Sequence, residues 1–386
     1  MSTLLRQLHV HGAQSRAQLT ESMGLNRSTI KALVGELADA GLVSETIPET
    51  GLRAGRPSHV VVPRSDTAYV LAANIAVDTV SVAAVGLGGV IIARREYRMS
   101  ASASKPDAVA RRLATEFTKL RVKLPANAWL SGVGVGVPGA VRTSDGLVEF
   151  APNLMWRSAP FGEMLAERLD VPAEVRVGND GDLGGLAEHV RGSGRGIDNL
   201  IYLAGEVGVG GGIIVDGRLL RGSQGYAGEL GHMIVNPNGR LCRCGSHGCF
   251  ETEAGEEAVL EACGRDPNGG RPAMLEVFAA ANAGEQRAID GLQQTASWVA
   301  RGLATLVNLF NPDIVILGGP LSSLFFLTSD VILAQMETMT MFAGRRRVRL
   351  VPPGLGQDSS LLGAAELAFE PLINDPLEAG ARTCVV

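Results

Sequence analysis

The sequence predicts a small helical head closed by a β-ribbon, followed by a larger α/β body of two similar lobes. Three observations carry this. Residues 1–43 hold three short stretches with helical apolar spacing. After Pro63 the pattern switches to period two. The period-two stretches come in two sets, from Tyr69 and from Leu200, each opening on hairpins around glycine-rich turns. At 386 residues, 46% hydrophobic and 19% charged, the chain is too apolar for disorder and long enough for several cores. The expected boundaries are a head over 1–63, a first lobe over 64–190 to which a C-terminal helix in 358–386 returns, and a second lobe over 191–357.

In the head, Leu4, Leu5 and Leu8 recur at helical spacing, Ser15 opens a second helix that Gly24 ends, and Asn26 is a good N-cap for a third. Ile30, Leu33, Val34 and Leu37 make one apolar stripe of that third helix, with Arg27, Ser28 and Lys31 on the opposite face. Gly41 stops it. Leu42-Val43 and His59–Val62 read as two strands around the loop ETGLRAGRPS. Three helices and a ribbon are the layout of a winged helix–turn–helix. Arg27, Ser28, Thr29 and Lys31 would enter a major groove, and Arg53 and Arg56 lie on the wing. Residues 1–64 hold seven basic and five acidic side chains in a chain of net charge −5. A mildly basic head on an acidic body suits contact with DNA through the head alone.

In the body, Tyr69–Ile75, Val80–Val85 and Val90–Arg94 read as successive strands, followed by a helix from Pro106 to about Val122. A strand-loop SGVGVGVPG, a strand Glu174–Val177 and the loop VGND complete the first set. The second opens on LIYLAGEVGVGGGIIVDGRLLRG, continues through a helix pair over about 272–311 and the strand IVILGG, and closes on a helix near 361–370. The long helices in 285–310 are candidates for a self-association interface. The apolar segment Leu321–Gln335 is broken by Asp330, which argues against a membrane span, and the N-terminus lacks the layout of a signal peptide.

The strongest local signal is GELGHMIVNPNGRLCRCGSHGCFETEAG, which offers His232, Cys242, Cys244 and Cys249. One imidazole and three thiolates suit a closed, tetrahedral, structural Zn²⁺ site. Clustered cysteines in a chain with five point to a metal in a reducing cytoplasm rather than to a disulfide scaffold. Cys263 and Cys384 have no such company. Glu229 and Glu251 flank this segment, and Asn179-Asp180 occupies a loop just after a strand, where α/β proteins place ligands. Paired carboxylates and amides are what the vicinal hydroxyls of a sugar need.

These stretches, with GVGVPG (134–139), APNLMW (151–156), VGNDGD (177–182) and NPDIVILGG (311–319), resemble the ROK family of repressors, open reading frames and sugar kinases over essentially the whole chain. The resemblance implies a body of the actin and hexokinase kind and a sugar held by Asn153, Asn179, Asp180, Glu229, His232 and Glu251. It also implies zinc on His232, Cys242, Cys244 and Cys249. In the family's kinases the residue matching Asp180 is the general base. The winged head is that of the family's repressors, whose wing tripeptide stands here as Gly55-Arg56-Pro57.

The same resemblance sets this chain apart from the kinases. Their first phosphate loop, D-x-G-G-T, aligns with Asn74-Ile75-Ala76-Val77-Asp78, and Glu206 replaces the threonine of the second. Each carboxylate repels phosphate by about 4 kcal/mol at ~4 Å and an effective dielectric near ~20. The reading is therefore a sugar-responsive repressor with Asp180 a vestigial base. It would bind operator DNA as a cytoplasmic homodimer or larger, since operators are commonly palindromic. The alternative is a glucokinase-like sugar kinase with an appended DNA-binding head.

Overall fold

A computed structural model describes residues 1–47, 59–99, 104–205, 207–341 and 348–381. The wing residues Arg53 and Arg56, and Glu206, lie outside the described residues. In chain order the head contributes α1 (Ser2–His11), β1 (Gln14–Ser15), α2 (Arg16–Met23), α3 (Arg27–Asp39), β2 (Val43–Thr46) and β3 (Val60–Pro63). The next elements are β4 (Ala68–Ile75), β5 (Thr79–Gly86), β6 (Val90–Arg98), α4 (Pro106–Arg121), β7 (Trp129–Val137), β8 (Ala140–Arg142), β9 (Leu147–Ala151), β10 (Trp156–Ala159), α5 (Phe161–Ala166), β11 (Val175–Asn179) and α6 (Asp180–Arg191). Then follow β12 (Leu200–Gly205), β13 (Val209–Val215), β14 (Arg218–Leu219), α7 (Phe250–Ala254), α8 (Glu256–Ala262), α9 (Gly270–Asn282) and α10 (Gln286–Phe310). The chain ends with β15 (Ile314–Gly318), α11 (Pro320–Met339), β16 (Arg349–Val351), α12 (Ser359–Asn374) and α13 (Pro376–Ala381).

The head forms as its caps direct. The Ser15 hydroxyl accepts from the Gln18 amide and the Gln18 side chain returns to Ser15, a complete capping box at the start of α2. Gly24 ends α2 in the left-handed region, at φ 64°, where glycine carries no side-chain penalty. Asn26 accepts from the Thr29 amide at 2.8 Å and starts α3. Ile30, Val34 and Leu37 are buried, and Leu33 is half-buried. The ribbon has a third, short strand that the sequence reading lacked: β1 pairs with β3, giving the order β1-β3-β2.

The chain folds into two compact units. The first holds Met1–Val135, Pro160–Gly178 and Ala364–Val386; the second holds Gly136–Ala159 and Asn179–Gly363. The first is built on the sheet β11-β7-β4-β5-β6. Within it, α1 is tied to α12. The Gly88 amide donates to His9 Nδ1 at 3.0 Å, which leaves Nε2 to donate to Glu366 at 3.0 Å. His9 meets the edge of Phe369, and Arg6 donates to Asn374 at 2.8 Å.

The second unit repeats the strand order of the first in its sheet β14-β13-β12-β15-β16: three antiparallel strands, with two later strands added beyond the first. Side chains of β12 alternate between two cores. Ile201 and Leu203 join the cluster of Phe250, Val299, Leu303, Leu317 and Met336, whereas Leu200 and Tyr202 face Ile214, Ile314 and Ile316. The apolar stripe of α10 is spent on the first of these cores. Helix α6 lies on the second face at glycine distance: a Cβ on Gly181 would sit 2.4 Å from the Gly211 nitrogen, and one on Gly184 2.4 Å from the Tyr202 ring. A smaller sheet β10-β9-β8 completes the unit. Among the described residues, no helix is long and apolar enough to cross a membrane.

At the far end of α6 the fully buried Glu188 carboxylate gathers four donors. Ser193 and Gly354 amides reach Oε2 at 2.9 Å; the Leu355 amide and the Ser359 hydroxyl reach Oε1 at 2.9 and 2.8 Å. Removing the acceptor leaves the buried Ser359 hydroxyl and three part-buried amides without it, so Glu188→Ala is expected to cost about 3 kcal/mol. Glu188→Gln, with one acceptor oxygen, should lose about half of that. Thermal denaturation checks both, and an unchanged melting temperature in Glu188→Ala would contradict the assignment.

Candidate metal centre and ligand site

The segment from Glu229 to Glu251 folds back on itself through two isolated bridges, Ile234 with Cys249 and Leu241 with His247. A 3-10 turn, Leu230–His232, presents His232; a tight turn closed by Gly245 N–H to the Cys242 carbonyl at 2.9 Å presents Cys242 and Cys244; Cys249 caps α7. The donor atoms of His232, Cys242, Cys244 and Cys249 all lie within 4.8 Å of one another. Cys244 Sγ is 3.6 Å from Cys249 Sγ, and Cys242 Sγ is 3.7 Å from His232 Nδ1. A tetrahedron with metal–sulfur bonds of about 2.3 Å has edges near ~3.8 Å, so the donor set fits a metal ion of zinc's size and softness. Burial raises the Cys242 thiol and pushes Cys249 up to about 11, so metal uptake would release protons.

Residues that the sequence reading assigns to a sugar adjoin this centre. Glu251 Oε1 accepts from the Cys242 thiol at 3.0 Å and lies 3.5 Å from His232 Nδ1. The other ring nitrogen, Nε2, lies 3.9 Å from Glu229 Oε2. Burial raises the Glu229 carboxyl, a rise that His232 opposes and Glu251 increases. Asn153, in the 3-10 turn Pro152–Leu154, accepts at Oδ1 from Arg243 at 2.7 Å. Asn179 caps α6, accepting from the Asp182 amide and donating Nδ2 to the Gly139 carbonyl, both at 3.0 Å. Asp180 opens α6, and its Oδ1 accepts from the Gly181 amide at 2.9 Å. All six residues belong to the second compact unit.

In the head, Arg27, Ser28 and Lys31 are exposed on the first turns of α3 and Thr29 is half-buried. Arg27 and Lys31, four residues apart, share one face. Ser28 donates to Asn26 Oδ1 at 2.7 Å, so its hydroxyl is partly committed to the cap. Asp78 is exposed in the turn between β4 and β5.

A family model described as the ROK family matches residues 70–370. The chain belongs to the ROK family. Among curated relatives, the xylose repressor of Bacillus subtilis (strain 168) is 28% identical over 368 residues, 95% of this chain and 94% of the repressor. A glucokinase of Streptomyces coelicolor is 35% identical over 262 residues, 64% of this chain and 81% of the enzyme. Among solved structures, a ROK family transcriptional regulator described as a homologue of the Escherichia coli Mlc protein superposes with a TM-score of 0.81 at 24% identity, covering 99% of this chain and 98% of that one. The winged-head and two-lobed reading of the fold stands with that likeness.

Two residues of this ROK chain's site were not singled out in the sequence. Arg243 lies between Cys242 and Cys244 of the candidate metal centre. Asp182 stands on the first turn of α6, 5% exposed, and its Oδ1 has no hydrogen-bond partner among the described residues. A Cβ on Gly228 would lie 3.2 Å from that oxygen. Burial, with Glu229 and Asp180 nearby and Arg221 opposing, pushes the Asp182 carboxyl up to about 8. Its folded value thus exceeds the unfolded one, near 3.8. The folded state holds the extra proton between these limits, so this group's contribution to stability falls as pH rises from about 4 to 8. Asp182→Asn removes that dependence. It is expected to flatten the curve of melting temperature against pH and to gain on the order of 2 kcal/mol over the wild type at pH ~8. Parallel curves for the two proteins would contradict a buried neutral acid.

Proposed function

We propose that this ROK chain is a sugar-responsive transcriptional repressor without kinase activity. What supports this best is the extent of relatedness: 95% of the chain aligns with the Bacillus repressor, against 64% with the Streptomyces glucokinase. Residues 1–63 are the DNA-binding head. Arg27, Ser28, Thr29 and Lys31 meet base edges and phosphates in the major groove, Arg56 of the wing enters the adjacent minor groove, and Arg53 adds a further DNA contact. The body that follows the head senses the sugar. Asp180, Glu229 and Glu251 accept from its hydroxyls, while Asn153, Asn179 and His232 donate. The protein works in the cytoplasm as a homodimer on palindromic operator DNA.

His232, Cys242, Cys244 and Cys249 hold one structural zinc per chain. Four protein ligands complete the tetrahedron, so the ion fixes the loop and leaves no position for a reactive water. Asp180 stands where the kinases keep their base, but Asp78 and Glu206 oppose phosphate by charge. The sugar acts on DNA only through its differential affinity for the operator-competent and incompetent states, a coupling of about 1–3 kcal/mol or ~5- to 150-fold.

Operator fragments selected from genomic DNA, and D-xylose and D-glucose as ligands, test the assignment. Arg27→Ala and Lys31→Ala should each weaken operator binding about tenfold and leave the sugar-induced melting shift intact. Asp180→Ala should do the reverse: tight operator binding that saturating sugar no longer releases. With ATP and magnesium, neither sugar should be phosphorylated. Turnover that Asp180→Asn abolishes would establish the kinase reading instead.

A further inference from the structure

We infer that Arg243, the residue between metal ligands Cys242 and Cys244, is a positioning residue that turns the Asn153 amide so that it can only donate to the ligand. An arginine carries five N–H donors and no acceptor. The contact of Arg243 Nη1 with Asn153 at 2.7 Å therefore fixes which end of the amide is which: Oδ1 must face the guanidinium. The NH₂ group is turned away, and among the described residues Nδ2 has no hydrogen-bond partner. The guanidinium is itself anchored, since Nη2 donates to Glu257 at 2.5 Å at the start of α8.

The freed NH₂ and the Glu251 carboxylate border the same backbone. A Cβ placed on Gly208 would meet Glu251 Oε2 at 2.3 Å and Asn153 Nδ2 at 3.5 Å. A donor and an acceptor side by side read one hydroxyl, which accepts from Asn153 and donates to Glu251. Replacing that hydroxyl by hydrogen leaves both groups unanswered, the arrangement that discriminates most strongly. Arg243 spans 90 residues of sequence to do this, and it sits on the metal loop. Recognition at Asn153 thereby depends on the geometry of the metal centre. This inference deepens the proposed sugar site and rests on it for its ligand.

The experiment has two readouts. The first needs no ligand: the side-chain amide signals of Asn153 in ¹⁵N-asparagine-labelled protein, assigned by their loss in Asn153→Ala. They should shift and broaden in Arg243→Ala and return towards wild type in Arg243→Lys, which keeps one donor. The second is calorimetric titration with D-xylose and D-glucose. Arg243→Ala should bind the sugar about tenfold more weakly with its metal content unchanged. The double variant with Asn153→Ala should be no weaker than Asn153→Ala alone. Unchanged Asn153 signals in Arg243→Ala, additive losses in the double variant, or loss of the metal from Arg243→Ala would each overturn the inference. A wild-type protein that binds neither sugar would instead count against the sugar-site reading, and the amide signals would still decide the role of Arg243.

Discussion

The His232 imidazole is the hinge of the second unit's chemistry. Its Nδ1 faces the cysteine sulfurs and Glu251; its Nε2 faces Glu229. Around that ring, burial disfavours the charged forms of Cys242, Cys249 and Glu229. A divalent ion held by His232, Cys242, Cys244 and Cys249 would reverse that balance, since it favours the thiolates, and the ring it fixed would orient the carboxylate beyond it. Glu229, Glu251 and, through Arg243, Asn153 are the side chains such a constraint would position.

The remaining site residues come from the scaffold rather than from the loop. Asn179 spends its side chain on capping α6 and on the Gly139 carbonyl, and so sets where Asp180 stands. Helix α6 in turn sits where glycines on the helix and the β12–β13 hairpin let the two backbones approach. Its other end is pinned by the four donors on Glu188. One helix thus links the ligand site to the segment that leads into α12. Residues of α12 also meet α1 of the head, through Glu366 and Asn374.

What the sequence disclosed is what local chemistry dictates. Ser15, Gly24 and Asn26 act over three or four residues, so the head's helices were legible from caps alone. That His232, Cys242, Cys244 and Cys249 come together was legible because His and Cys at short spacing have few other uses. Arg243 and Asp182 were not. The partner of Arg243 lies 90 residues away, and the burial of Asp182 comes from tertiary packing that no local pattern encodes. Helix α11 was missed for a related reason. Its run LFFLTSDVILAQM lacks a polar period, and Thr328 interrupts it with a non-helical φ of −135°. The repeated strand order showed in the sequence only as two sets of hairpins, because the added parallel strands come from distant segments.

In the function proposed above, a metal-held loop builds the ligand site. This is tested most directly by calorimetry on protein stripped with a strong chelator, titrated with D-xylose and D-glucose before and after return of about one equivalent of zinc. The account predicts that stripping weakens sugar binding at least about tenfold and that zinc restores it. Equal sugar affinity with and without the metal would contradict it.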